Sequence, residues 1–117
     1  MTAVRAGSAV WVAVCPLARL PRERGVAALV GSAQVAVFRT FDDEVYATGN
    51  QDPFAGAYVL ARGIVGTRAG VPTVASPLHK QVFDLRTGAC LDDPAVRIPV
   101  YRVRVSDGVV EIAQASR

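Results

Sequence analysis

The stretch that decides the fold runs from Asn50 to Pro94 and reads NQDPFAGAYVLARGIVGTRAGVPTVASPLHKQVFDLRTGACLDDP. It holds two short loops of similar outline, Asp52-Pro53-Phe54 and Ser76-Pro77-Leu78-His79. Glycine recurs through it, which is typical of tight turns and of close backbone approach. The pattern predicts a small loop-rich subdomain, residues 49–94, inserted into a larger framework.

Short β-rich runs on both sides of that segment predict the framework. No segment keeps a convincing 3.6-residue period, and turn signals such as Ser106-Asp107-Gly108 separate the runs. Strands at this density, without intervening helices, predict an all-β protein: an antiparallel β-sandwich or barrel formed by a single domain of residues 1–117. The predicted strands cover residues 10–14, 27–30, 34–39, 44–48, 100–105 and 109–113.

Composition and charge exclude several classes of function. The chain has 117 residues, is 51% apolar and carries a net charge of +3, and its basic residues are scattered. We therefore expect no nucleic-acid partner. No apolar run approaches the roughly 18 residues of a membrane span, so we expect no membrane partner. The run from Arg5 to Cys15 resembles a short signal peptide, but Val14 and Pro16 argue against cleavage there, and we expect a cytoplasmic protein.

The two loops resemble the cluster-binding loops of Rieske iron–sulfur proteins. A Rieske centre holds two irons and two sulfides through Cys-x-His and Cys-x-x-His. The second loop and the residues after it, SPLHKQVFDLRTG, are similar to the family's Cys-Pro-x-His-x-x-x-Phe-Asp-x-x-Thr-Gly. The resemblance implies a Rieske-like fold in which the four ligand positions hold Asp52, Phe54, Ser76 and His79.

Three of these four positions do not suit an iron–sulfur cluster. Asp52 offers a hard oxygen, Ser76 a hydroxyl that stays protonated near neutral pH, and Phe54 no lone pair at all. We therefore expect this chain to hold no cluster. Its single histidine and the lack of a nucleophile–base arrangement predict no catalytic residue, and we expect no other cofactor. We expect Asp52 to form a turn, and Phe54, with Leu78, to fill the volume that the lost cluster would leave.

His79 is the one ligand-type residue left in these loops. One interpretation joins it with Asp52 and Ser76 around a single metal ion. Two adequate ligands fall short of the three or four that protein metal sites usually need, so we interpret His79 as structural and predict no metal site. Cys15 and Cys90 have no metal-ligand spacing and are interpreted as small buried hydrophobic residues.

Longer phrases narrow the resemblance to one family. They include Val59-Leu60-x-Arg62-Gly63-Ile64-Val65-Gly66 and Thr87-Gly88-x-Cys90-Leu91-Asp92-Asp93-Pro94, and they extend to Trp11-Val12-x-Val14 near the start. These phrases resemble the small subunit of bacterial NAD(P)H-dependent assimilatory nitrite reductase, a Rieske-like protein without the cluster. The resemblance implies a large-subunit partner that carries sirohaem, an iron–sulfur cluster and FAD, and that reduces nitrite to ammonium.

In that interpretation the chain is a non-catalytic oxidoreductase subunit that docks on the large subunit and supports it. The loop face of residues 52–62 and 76–81 is the expected docking surface, because loops on a rigid scaffold usually carry function. The candidate contacts are Arg62, Lys80 and Gln81. Two alternatives stay open: a Rieske-type ferredoxin that carries electrons, and a generic β-rich interaction module with a mononuclear metal at His79.

Overall fold

The computed structural model describes residues 9–115, which contain ten β-strands and two short 3-10 helices. No α-helix occurs among these residues, and neither 3-10 helix is long enough to cross a membrane. The helices comprise Leu17–Arg19 and Leu60–Arg62. The strands are β1 (Ala9–Pro16), β2 (Arg24–Val30), β3 (Ala33–Arg39), β4 (Val45–Gly49), β5 (Ile64–Arg68), β6 (Val71–Ala75), β7 (Val82–Asp84), β8 (Val100–Tyr101), β9 (Val103–Ser106) and β10 (Val109–Ala115).

The strands form three antiparallel sheets. The first has the order β1-β10-β9, the second β2-β3-β4-β8 and the third β5-β6-β7. Each pairing within them is antiparallel, so the predicted all-β antiparallel architecture is confirmed. Strand β1 also covers the predicted first strand, residues 10–14. The earlier part of the signal-like run, residues 5–8, lies outside the described residues.

Strand β3 lies between two hydrophobic cores. Successive side chains of a strand point to opposite faces, and four consecutive residues of β3 are fully buried. Val35 and Val37 pack into a core that the first sheet shares. Ala36 and Phe38 pack into a second core that contains Phe83 of the third sheet. The second sheet is therefore the central layer, and the third sheet is attached to it through an apolar face.

The prediction of one strand over residues 100–105 is wrong, because the chain forms two strands there. Strand β8 pairs with β4 in the second sheet, whereas β9 pairs with β10 in the first. The chain changes sheets at Arg102, whose carbonyl oxygen accepts a 2.9 Å hydrogen bond from the N–H of Ala113. Apolar and basic residues alternate evenly across this point, so the sequence carries no sign of the break.

The segment that the sequence predicts as loop-rich contains the whole third sheet. Strands β5 and β6 form a hairpin around Ala69-Gly70, and β7 pairs with β6. These strands have five, five and three residues, and they contain Gly66 and Pro72. Glycine and proline are depleted in strands, which is why the pattern hides this sheet. The subdomain bounds 49–94 stay a prediction.

The third sheet sets the two loops side by side. The first loop follows β4, and the second leaves β6 after Ala75. Gly63, just before β5, lies so near that a Cβ on it would be 2.4 Å from the Ala75 carbonyl oxygen. Only glycine permits this approach. The close contact between Gly63 and Ala75 places the end of the first loop segment beside the start of the second loop.

Candidate functional site

Asp52 and Ser76 meet at the centre of the two loops. The Ser76 hydroxyl donates a hydrogen bond to Asp52 Oδ2. Asp52 is 0% exposed and Ser76 is 1% exposed. The other oxygen, Asp52 Oδ1, accepts hydrogen bonds from the N–H groups of Phe54 at 2.8 Å and Ala55 at 3.3 Å. Ser76 Oγ accepts one from the N–H of Leu78 at 3.3 Å. The pair therefore joins two of the four ligand positions directly and ties the loops together.

The two loops are conformational copies of each other. In the first loop the N–H of Phe54 donates to the Asp52 side chain, and in the second the N–H of Leu78 donates to the Ser76 side chain. The Asp52 carbonyl oxygen accepts from the N–H of Gly56 at 2.7 Å, and the Ser76 carbonyl oxygen accepts from the N–H of Lys80 at 3.0 Å. Gly56 and Lys80 both have a left-handed backbone, with φ of 78° and 62°. Each loop is thus a closed turn, as Asp52-Pro53 predicts for the first of them.

The Asp52 carboxyl is a buried charge held by hydrogen bonds. Burial acts to raise its pKa, but hydrogen bonds from the Ser76 hydroxyl and from two backbone N–H groups outweigh burial, so the pKa lies below its ordinary value of 3.8. Asp52 is therefore ionised at neutral pH. An ionised carboxylate whose oxygens accept hydrogen bonds stabilises the loops that it joins.

The prediction that Phe54 and Leu78 fill the space between the loops is wrong. Phe54 is 38% exposed and Leu78 is 51% exposed. The inner side of the Phe54 ring packs near Phe83, with 6.3 Å between ring centroids and a tilt of 45°. The space between the loops is taken instead by the hydrogen-bonded side chains of Asp52 and Ser76, which draw the loops into contact.

His79 lies on the exposed side of the second loop. Within residues 9–115, no group of three or more His, Cys, Asp or Glu side chains is arranged to hold a metal ion. Cys90 is 2% exposed and belongs to the core around Phe83, as its hydrophobic interpretation predicts, and Cys15 is half-buried. The structural interpretation of His79 stays a prediction.

The three candidate docking residues differ in their surroundings. Arg62 and Lys80 are exposed and belong to the segments that carry the two loops. Gln81 is half-buried, and its side-chain oxygen is buried without a hydrogen-bond partner in the part of the chain that the structure describes. That oxygen is not available on the surface. Among the three, Arg62 and Lys80 are therefore the better placed to contact another protein.

Asn50 organises the first loop, a role that the sequence does not reveal. It is 3% exposed, and its Oδ1 accepts a 2.8 Å hydrogen bond from the N–H of Ala61. Its Nδ2 donates to the Tyr58 carbonyl oxygen at 3.2 Å, and its own carbonyl oxygen accepts from the N–H of Leu60 at 3.0 Å. An asparagine after a strand normally indicates an exposed turn. The buried partners that give it this role lie about ten residues away along the chain.

Comparisons with known proteins agree with this geometry. The model of the family described as Rieske-like [2Fe-2S] domain matches residues 10–113. The chain is 43% identical over 103 residues to the nitrite reductase (NADH) small subunit of Escherichia coli (strain K12), covering 87% of this chain and 95% of that protein. A crystallised Mycobacterium tuberculosis protein, assigned as an NADH-dependent nitrite reductase small subunit, superimposes with a TM-score of 0.90 at 47% identity, over 93% of this chain and 98% of that one.

A third similarity involves a much longer protein. The chain is 41% identical over 100 residues to the NAD(P)H nitrite reductase large subunit of Klebsiella oxytoca. The match covers 86% of this chain but 10% of that protein. A domain similar to this chain is thus one part of a polypeptide that carries the large-subunit name.

The residues at the four ligand positions do not fit the cluster that the matched family implies. A [2Fe-2S] cluster needs two thiolates and two imidazoles in the Rieske arrangement, and the positions here supply one imidazole, that of His79. Asp52 and Ser76 are in direct hydrogen-bond contact, which leaves no room for iron and sulfide between them. The loops are closed by side-chain oxygens in place of a cluster.

Proposed function

Because this chain belongs to the Rieske-like [2Fe-2S] domain family, and within it to the small subunits of NADH-dependent nitrite reductase, we propose that it is the non-catalytic small subunit of such an enzyme. In this proposal it docks on the large subunit and supports the reduction of nitrite to ammonium during nitrate assimilation in the cytoplasm. Sirohaem, an iron–sulfur cluster and FAD belong to the large subunit in this proposal.

The observation that carries the docking proposal is the match within the Klebsiella oxytoca large subunit. A domain joined covalently to its partner is held at a high effective concentration and needs little affinity of its own. A separate chain with the same fold must reach the same place by non-covalent binding. The relation between the two proteins therefore supports a stable contact between this chain and a large subunit.

The chemistry of the loops supports a role without electron transfer. The positions that would hold a redox centre hold a carboxylate, an aromatic ring and a hydroxyl. The two oxygen-bearing side chains are bonded to each other and to backbone N–H groups. These groups stabilise the loops and offer no electron acceptor. The contribution of this subunit is then to the stability, assembly or positioning of its partner.

The test is co-expression of the full chain with the large subunit of the same organism. The large subunit carries an affinity tag and this chain carries none. We expect the untagged chain to co-purify in a fixed ratio and to increase nitrite-dependent NADH oxidation. The control is the large subunit expressed with an unrelated β-rich protein of similar size. A large subunit that never retains this chain and is equally active without it would rule out the proposal.

A further inference from the structure

We propose that Phe54, Leu78, Arg62 and Lys80 form the surface through which this chain contacts the large subunit, and we call these four residues the tip surface. This inference rests on the proposed function. It adds the place of contact and its chemistry: two apolar side chains at the centre and two cationic side chains around them. The matching site on the partner is apolar in its middle and acidic at its edge.

The centre of the tip surface consists of two exposed apolar side chains at equivalent positions. Phe54 and Leu78 each lie two residues after the buried member of the Asp52–Ser76 pair. They are 38% and 51% exposed, because Asp52 and Ser76 already occupy the space between the loops. Because the Asp52–Ser76 bond joins the two loops, both exposed apolar side chains belong to one joined pair of loops. Aromatic and aliphatic side chains of this kind act as anchors in protein interfaces.

The tip surface is held in place before any partner arrives. A continuous series of hydrogen bonds runs from the N–H of Phe54 to Asp52, then to Ser76, and then to the N–H of Leu78. The N–H of Asp52 also donates to the Ala57 carbonyl oxygen at 2.8 Å, which closes the first loop. Ordering side chains and loops is a major cost of association. Fixing both loops in advance lowers that cost.

All exposed charged side chains of residues 45–83 are basic, and Asp92, which pairs with one of them, also accepts a 2.8 Å hydrogen bond from the N–H of Val82. Asp52 is the only acidic residue between Val45 and Phe83, and it is buried. Arg68 of the same region is paired with Asp92 at 3.4 Å. Within residues 9–115, Arg62 and Lys80 form no ion pair. Two unpaired cations in the segments that carry the loops complement an acidic site, and such charges steer association and fix its orientation.

Arg62 is placed beside the second loop by the glycine that follows it. The close approach of Gly63 to the Ala75 carbonyl oxygen brings the end of the 3-10 helix against the start of that loop. Lys80 belongs to the loop itself and has a left-handed backbone with φ of 62°. The equivalent residue of the first loop is Gly56, the residue type that normally adopts this conformation. The second loop therefore has lysine at position 80, although glycine would adopt this backbone conformation with less strain.

Two other exposed apolar side chains lie on elements outside the two loops. Leu29 and Phe41 are 69% and 65% exposed, more than either residue at the centre of the tip surface. Each stands alone on its element, Leu29 on the edge strand β2 and Phe41 in the turn before β4. Single exposed apolar residues are normal on protein surfaces. Leu29 and Phe41 therefore provide a matched control, because they are more exposed than Phe54 and Leu78.

The experiment measures binding of the full chain to the purified large subunit by calorimetry. Leu78→Ser should weaken binding by about tenfold, and Phe54→Ser combined with Leu78→Ser should weaken it further. Leu29→Ser combined with Phe41→Ser should stay within about twofold of wild type. Circular dichroism and urea unfolding show whether each variant is folded. Because Leu78 is half exposed and Phe54 is partly packed, the single Leu78 variant is the decisive one.

Charge variants test the same surface independently of packing. Lys80→Asn keeps a residue that tolerates the left-handed backbone, and Arg62→Gln keeps the length of the side chain. Each should weaken binding by about threefold or more at low salt, with little effect in high salt. Arg68→Gln is the control, because Arg68 is already paired with Asp92.

The outcomes separate this inference from the proposed function. If the wild-type chain binds and the Leu78, Arg62 and Lys80 variants bind equally well, contact is made elsewhere and the tip surface is overturned while the proposed function stands. If the wild-type chain does not bind the large subunit at all, both fail. Loss of binding in the Leu29 and Phe41 double variant, with binding kept in the Leu78 variant, would assign the contact to the surface around Leu29 and Phe41 and also overturn the inference.

Discussion

At the residue scale, the most consequential group is the buried carboxylate of Asp52. It accepts three hydrogen bonds, one from the Ser76 hydroxyl and two from backbone N–H groups. Removing a buried acceptor leaves its donors unsatisfied, which costs more than the net gain of the bonds themselves. Asp52 therefore crosslinks segments that are far apart in the sequence, as metal–ligand bonds do in a cluster protein.

Replacing Asp52 with alanine should lower the free energy of unfolding by about 3 kcal/mol, because three donors lose their acceptor in a buried site. Asp52→Asn keeps the shape and one acceptor oxygen and should cost less. Urea unfolding at neutral pH, followed by circular dichroism, measures both. Glu44→Ala, at an exposed position, is the control and should change stability by less than about 0.5 kcal/mol. Equal costs for Asp52→Ala and Glu44→Ala would contradict the crosslink.

Acid should remove the advantage of wild type over Asp52→Asn. Hydrogen bonds hold the pKa of Asp52 below 3.8 in the folded state despite its burial. The stabilisation is therefore fully present above about pH 5 and is lost as the pH falls through the lowered pKa. The difference in the free energy of unfolding between the two proteins should be similar at about pH 7 and pH 5 and smaller at about pH 3. A difference that is constant over this range would show that Asp52 is not the charged group assumed here.

At the element scale, the third sheet depends on two turns that require glycine for different reasons. Gly70, in the turn between β5 and β6, and Gly88, after β7, both have φ of +81°. A Cβ on Gly70 would meet no atom within 4 Å, whereas one on Gly88 would lie 2.1 Å from the Ile98 carbonyl oxygen. Gly70 supplies backbone freedom alone, and Gly88 also supplies the space in which the chain before β8 crosses.

The pair Gly70→Ala and Gly88→Ala should separate these two requirements. In both variants the free energy of unfolding should fall by about 1–2 kcal/mol, because alanine disfavours a left-handed backbone. Gly88→Ala should lose a further 2 kcal/mol or so, because its methyl group meets backbone atoms that have no rotamer to change. Urea midpoints at neutral pH give the difference. Equal losses would mean that the contact with Ile98 relaxes at little cost.

The sequence predicts the framework strands well and the third sheet poorly, for a physical reason. The framework strands are runs of β-branched and aromatic residues between turn residues, a pattern that survives in the sequence. The third sheet is buried against Phe38 and Leu60 through a few residues, such as Val65 and Val74, and four of the five residues of β5 are exposed. Its stability comes from contacts that are distant along the chain, which a local pattern does not record.

The likeness of the two loops shows the same limit at the site. The ligand positions follow from the motif, but Asp52 and Ser76 become a bonded pair only when the third sheet brings them together. The sequence also does not show that positions 56 and 80 share one backbone conformation, because one is glycine and the other is lysine. Side-chain chemistry at these positions was enough to predict that they do not suit a cluster. The location of Phe54 and Leu78 on the outer side of the loops required the structure.

At the scale of the whole molecule, strand β3 joins the two halves of the structure. Val37 belongs to the core of the framework and Phe38, next to it, to the core of the third sheet. A large side chain lost from a fully buried site costs about 3–5 kcal/mol. Because both cores share one strand, the loops that carry the tip surface are held by the framework as well as by their own hydrogen bonds.

Wild-type protein treated with ferrous iron and sulfide under anaerobic, reducing conditions should acquire no bound chromophore after gel filtration. The four ligand positions supply one imidazole and no thiolate, and the Asp52–Ser76 contact closes the space between the loops. Visible absorption and iron content per chain are the measurements, with a Rieske-type ferredoxin carried through as the positive control. Bound iron with a visible spectrum in the wild-type chain would revive the interpretation as an electron carrier.

The bond between Asp52 and Ser76 also determines how this protein matures. A Rieske scaffold that is closed by a cluster reaches its final state only after iron delivery, and it loses that state when oxidants damage the cluster. Here the closing contact forms from the chain itself, between a carboxylate and a hydroxyl that oxygen does not attack. We therefore predict that folding alone brings these loops to their final conformation. On that prediction, the amount of folded protein depends on protein synthesis and not on the supply of iron.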